Sequence, residues 1–101
     1  MGISGINGNN FILPAEYKLY QNYPNPFNPS TNIKFDLPEQ TKVSLKIFDI
    51  LGTEITVIYN GILSGGSYNF MWDASSYASG VYFYKLVAGD YIEVRKMTLI
   101  K

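Results

Sequence analysis

The side chains that could carry chemistry in this 101-residue chain are carboxylates, hydroxyls and amides, because it contains no histidine and no cysteine. The commonest general base and the best thiol nucleophile are therefore missing, and a Ser/His/Asp or Cys/His arrangement is impossible. Two facing carboxylates would suit glycoside hydrolysis, but Asp36, Asp49, Glu54, Asp73 and Glu93 fall singly at strand ends or on polar faces. Oxygen ligands for calcium could come from Asp73 with Ser75 and Ser76, or from Asp90 beside Gly89. Neither has the Asp-rich spacing of a calcium loop, and both suit turns, where Asp bonds its own backbone. Ser64-Gly65-Gly66-Ser67 lacks the Lys and the helix that would make it a phosphate loop. These residues describe a domain that binds and does not catalyse, with no metal and no cofactor.

The aromatics are the other group to weigh, since nine Tyr, six Phe and one Trp are many for this length. Exposed rings in a row would grip a sugar, whereas rings on the dry face of strands would build a core without disulfides. The second account covers most of them. Phe48, Phe83, Tyr77 and Tyr91 are left unassigned by strand parity or loop position.

The elements that position these groups are strands. Ile33, Phe35 and Leu37 alternate with Lys34 and Asp36; Val43, Leu45 and Ile47 with Lys42, Ser44 and Lys46; Ile55, Val57 and Tyr59 with Glu54, Thr56 and Asn60. Tyr68, Phe70 and Trp72 alternate with Asn69, Met71 and Asp73, and Tyr82, Tyr84 and Leu86 oppose Phe83 and Lys85 ahead of a last run from Tyr91 to Ile100. Turns fall at Pro38 to Thr41, Leu51 to Thr53, Gly61 to Ser67 and Ala88 to Asp90, and the longer stretch from Asp73 to Ser79 suits a crossing between sheets. Six strands are clear, and a seventh is expected at Phe11-Ile12-Leu13 or near Tyr17-Lys18-Leu19. The pattern predicts an all-β, immunoglobulin-like antiparallel sandwich of about seven strands with a Greek-key crossing.

In the last strand, Ile92 and Val94 share one parity and Met97 and Leu99 the other. A β-bulge near Arg95-Lys96 would return both pairs to the core, and is expected there.

Composition sets bounds on the partners. Eight basic and eight acidic side chains cancel, so there is no broad attraction to nucleic acid or anionic lipid. No apolar run approaches the roughly 20 residues of a membrane span. Residues 1–16 read as an added start and a Gly/Asn-rich linker, and 17–101 as one domain, a monomer taken from the end of a longer protein whose signal peptide lies elsewhere.

Ahead of the first long strand stand Asn22-Tyr23-Pro24-Asn25-Pro26-Phe27-Asn28-Pro29-Ser30-Thr31. Three prolines at this spacing exclude helix and central strand and make a stiff, extended lead into the domain. This opening, followed in order by Ile33 to Pro38, Phe48 to Ile55, Trp72-Asp73-Ala74, Ala78 to Leu86 and Arg95-Lys96-Met97 before Lys101, resembles the type A C-terminal sorting domains of the type IX (Por) secretion system of Bacteroidetes. The resemblance covers residues 17–101 without a departure in order or spacing.

That resemblance implies a secreted or cell-surface protein that reaches the periplasm on its own signal peptide. It also implies an N-terminal passenger covalently linked to the domain, an outer-membrane translocon that reads the domain, and a sortase that can remove it and attach the passenger to the surface. The matching positions, and so the candidates for translocon recognition, are Pro24, Asn25, Pro26, Phe27, Asn28 and Pro29, then Gly80, Val81 and Tyr82, then Lys96 and Lys101. The opening is similar also to the immunoglobulin-like domain of flagellar hook-capping proteins, which leaves a structural assembly module open, and the aromatics leave a carbohydrate-binding accessory module open.

Overall fold

The alternating runs fold as the sequence pattern requires. A computed structural model describes residues 12–101 and contains, among them, seven strands and no helix. They are β1 (Lys18–Leu19), β2 (Ser30–Leu37), β3 (Thr41–Phe48), β4 (Glu54–Leu63), β5 (Gly66–Asp73), β6 (Gly80–Ala88) and β7 (Tyr91–Leu99). Two antiparallel sheets result, ordered β1-β2-β5 and β4-β3-β6-β7. Of the two places for the seventh strand, the Tyr17–Leu19 region supplies it. Phe11 and, with it, residues 1–11 of the linker expected at 1–16 lie outside the described residues.

The inward parities of β2, β3 and β6 are the ones read above, whereas Val57 of β4, expected on the dry face with Ile55 and Tyr59, is 44% exposed. Ile33, Phe35 and Leu37 of β2 are fully buried against Val43, Leu45 and Ile47 of β3 and Tyr84 and Leu86 of β6, while their odd-even neighbours face out. Sealing these side chains away from water contributes roughly 1.5–3 kcal/mol each, which is what replaces disulfides here. Tyr77 closes over Trp72 and Tyr82, and Tyr91 stacks on Tyr17 at 5.4 Å. Phe48 and Phe83 are half-buried on the outer face of the four-stranded sheet.

Among the described residues the chain changes sheets three times. The Asp73 to Ser79 stretch carries β5 to β6 as anticipated, and Pro38–Gln40 and Ser64–Gly65 make the other two passages. The third turn is shorter than the run of glycines suggested, because β4 continues to Leu63 and includes Gly61.

Two strands depart from the simple alternation. The register of β3 with β4 shifts between Leu45 and Lys46 and again between Ile47 and Phe48, so Ile58 and Ile55 become extra residues and Val57 turns to solvent opposite Lys46. The reason is crowding: Ile55, Ile58 and Tyr59 do not share one parity, and bulging lets all of them reach the core.

In β7 the expected bulge is absent. Nine successive pairs run from Gly80 opposite Leu99 to Ala88 opposite Tyr91. The two-residue Gly89-Asp90 turn fixes this register at one end, with Gly89 at φ 59° in a conformation L side chains avoid. With no residue to spare, Met97 and Leu99 go in, and Ile92 and Val94 go out at 59% and 51% exposure.

Candidate functional site

The opening segment leaves β1 and crosses to the other sheet through a buried polar knot. The Tyr84 hydroxyl accepts the Asn22 amide at 2.8 Å and donates to the Tyr20 carbonyl at 2.7 Å. Asn22 and Thr31 are the buried polar residues among those described. The Asn22 side-chain amide donates to the Pro24 carbonyl and to Thr31 Oγ1, its Oδ1 accepts from Gln21 Nε2, and Thr31 Oγ1 donates to the same Pro24 carbonyl. Both N–H donors of the Asn22 side-chain amide and its oxygen are thus hydrogen-bonded, as burial demands. Burial pushes the Tyr84 phenol up to about 12, the Asn22 N–H pulling partly the other way.

Beyond the knot, the proline loop is stitched to the last strand. Phe27 N donates to the Thr98 carbonyl at 3.0 Å and Ile100 N donates to the Phe27 carbonyl at 2.9 Å, a parallel bridge beside Leu99. Asn25 Oδ1 accepts the Thr98 amide, and Gln21 Nε2 donates to the Lys96 carbonyl. The Phe27 ring is 2% exposed and packs at 5.8 Å from Trp72, which meets Tyr82 edge-on. Ala74 N donates to the Pro29 carbonyl, while Lys101 donates from its amide to Ser79 Oγ and from Nζ to the Ser75 carbonyl at 2.6 Å.

The structure therefore gathers the candidates at one end of the sandwich. Pro24, Asn25, Pro26 and Asn28 are exposed there, Pro29 is half-buried, and Phe27 and Tyr82 lie inside and hold the surface in shape. Gly80 sits opposite Leu99 with φ 154°, and Val81 is half-buried beside it. Lys96 is exposed on the adjoining stretch of β7, tied in through its carbonyl to Gln21. Sequence reasoning missed Gln21, Asn22, Thr31 and Tyr84, because their contacts span 62 to 75 residues for Tyr84 and Gln21 and no local pattern announces them.

The carboxylates have structural partners. Asp36 accepts from Tyr20 and Ser67, Asp49 caps the Leu51 and Thr53 amides, and Glu54 pairs with Lys46. Glu93 pairs with Arg95 and accepts from Tyr91. Asp73 Oδ1 accepts the Ser75 amide in an Asx turn, and those Ser75 bonds hold its carboxyl below the usual range. This end of the molecule presents exposed prolines, amides and lysines, held from beneath by Phe27 and Tyr82.

The sequence model of a family described as "Secretion system C-terminal sorting domain" matches residues 21–101. No curated protein matches the chain. Among solved structures, the alkylpurine DNA glycosylase AlkC of Pseudomonas fluorescens, bound to DNA containing an abasic site analog, is similar at 14% identity and a TM-score of 0.44, over 86% of this chain and 31% of that one. A likeness that loose carries no argument.

Proposed function

The chain belongs to the family of secretion system C-terminal sorting domains, and from that premise we propose that the type IX translocon reads the stitched end of the sandwich as the export signal of an attached passenger. Membership makes the domain a type IX sorting signal, for export across the outer membrane to the surface or beyond. The finer reading concerns what is recognised. It rests on one observation: the proline opening and the last strand are a single hydrogen-bonded unit through Phe27, Thr98 and Ile100, so the composite surface exists only once the domain has folded. Removal of the domain by the sortase and attachment of the passenger to the cell surface complete the proposal.

The test fuses a signal peptide and a reporter to residues 17–101 in a host with the type IX system. The reporter is expected outside the outer membrane, and in the periplasm when the translocon is deleted. Lys96→Ala with Lys101→Ala, surface changes within about 0.5 kcal/mol each, should strand the reporter in the periplasm while circular dichroism stays unchanged. Undiminished export of that folded double variant would move recognition away from the lysines, and export independent of the translocon would reject the reading altogether.

A further inference from the structure

The covering of β7 stops halfway. Thr98, Ile100 and Lys96 direct backbone groups away from β6, toward Phe27, Asn25 and Gln21. In an antiparallel strand residues two apart point their N–H and C=O the same way, so those of Ile92 and Val94 also face outward. Among the described residues nothing is bonded to them, and β7 is the edge of its sheet. The same two residues hold apolar side chains in solvent. An open, apolar strand edge is the feature soluble proteins usually suppress, and here the described residues cover one half of the edge with the proline opening and leave the other.

The adjacent surface narrows the kind of occupant. Val94 borders an apolar groove of ≈ 270 Å³ on the outer face of the sheet, lined also by Phe48, Ile50, Phe83 and Lys85. Lys42, Lys85 and Lys96 stand on this face without an ion-pair partner among the described residues, and its carboxylate, Glu54, is taken by Lys46 at 3.2 Å. Asp49, at the end of the groove, is occupied by its own turn.

We propose that the uncovered half of β7, Tyr91–Arg95, takes up an extended segment of the export machinery by strand addition, a segment carrying apolar and acidic side chains over the outer face. Backbone pairing to Ile92 and Val94 supplies affinity, the groove takes an apolar side chain, and the free lysines select carboxylates. A second copy of this chain fits less well, because antiparallel pairing centred on Val94 sets Ile92 against Lys96 and brings two basic faces together. The proposal rests on the export reading and adds the site of capture.

Val94→Pro in the reporter fusion is the direct test. It removes an outward N–H and no bond to β6, a change edge strands tolerate. The variant should fold, by circular dichroism and melting, yet leave the reporter in the periplasm. Lys42→Glu with Lys85→Glu, which alters only surface charge, should lower the exported fraction several-fold. If Val94→Pro is too unstable to read, the charge pair decides alone. Export of the folded variants at the level of the unsubstituted domain would overturn the proposal, whereas failure of the unsubstituted domain to be exported would reject the export reading instead. Sedimentation of the isolated domain adds a further outcome: a dimer abolished by Val94→Pro, with export intact, would assign the edge to self-association and overturn the proposal.

Discussion

The two halves of β7 have the same partner on one side and opposite fates on the other. From Lys96 onward, the strand's outer edge is bonded to Gln21, Asn25 and Phe27, and its apolar side chains Met97 and Leu99 are sealed in the core. From Tyr91 to Arg95 no described residue pairs with the edge, and Ile92 and Val94 face solvent. A strand nine residues long thus serves two ends: one half anchors the opening of the domain, and the other remains available for pairing. The difference comes from where the opening segment lands, not from the composition of the strand, since both halves carry two apolar residues and charged neighbours.

The most severe way to break the contrast is Phe27→Ala. It removes a buried ring against Trp72 at the point where opening and end meet, and should cost about 3–5 kcal/mol in urea unfolding, with faster amide exchange at Thr98 and Ile100.

Tyr84→Phe strikes the knot and not the stitch. The Asn22 amide and Tyr20 carbonyl lose their shared partner, and a loss of about 1–3 kcal/mol is expected from leaving buried groups unpaired. The same residue sets a pH dependence. An unfolded tyrosine ionises near 10, whereas folded Tyr84 keeps its proton to about 12, so the unfolded state sheds protons first. Stability is complete below pH 10 and falls as pH rises toward 12. Tyr84→Phe should reduce that alkaline slope without removing it, because Tyr17, Tyr20 and Tyr91 are also shifted upward.

Smaller effects sharpen the comparison. Asn25→Ala deletes the acceptor for the exposed Thr98 amide, for a loss of roughly 0.5–1.5 kcal/mol and a selective rise in exchange at that amide. Val94→Thr, in the open half, should leave the melting curve within about 0.5 kcal/mol of the original. A large loss there would mean that Val94 is part of the core and the halves do not differ.

How far the residues alone carried the reading differs between these regions. Period-two alternation located six strands, and the clean parity of Val43, Leu45 and Ile47 or Tyr82, Tyr84 and Leu86 also assigned their faces, because each strand's dry side is written locally. Where apolar residues exceeded one parity, the sequence posed a problem with two solutions. β4 solved it with bulges and β7 by exposing Ile92 and Val94. Nothing within either segment says which, since the choice depends on how firmly the partner strand and the flanking turns hold register.

The ordered blocks from Asn22 to Lys101 were enough to identify the family and to name the proline opening, Gly80 to Tyr82 and the terminal lysines as its recurrent positions. That these lie at one end, that Phe27 is an anchor while Pro24, Asn25 and Pro26 form the surface, and that half of β7 is covered, were decided by tertiary structure. Local pattern reports how a residue relates to neighbours two positions away. The bond between Phe27 and Thr98 joins the two ends of the domain, and its geometry follows from the stacking of two whole sheets.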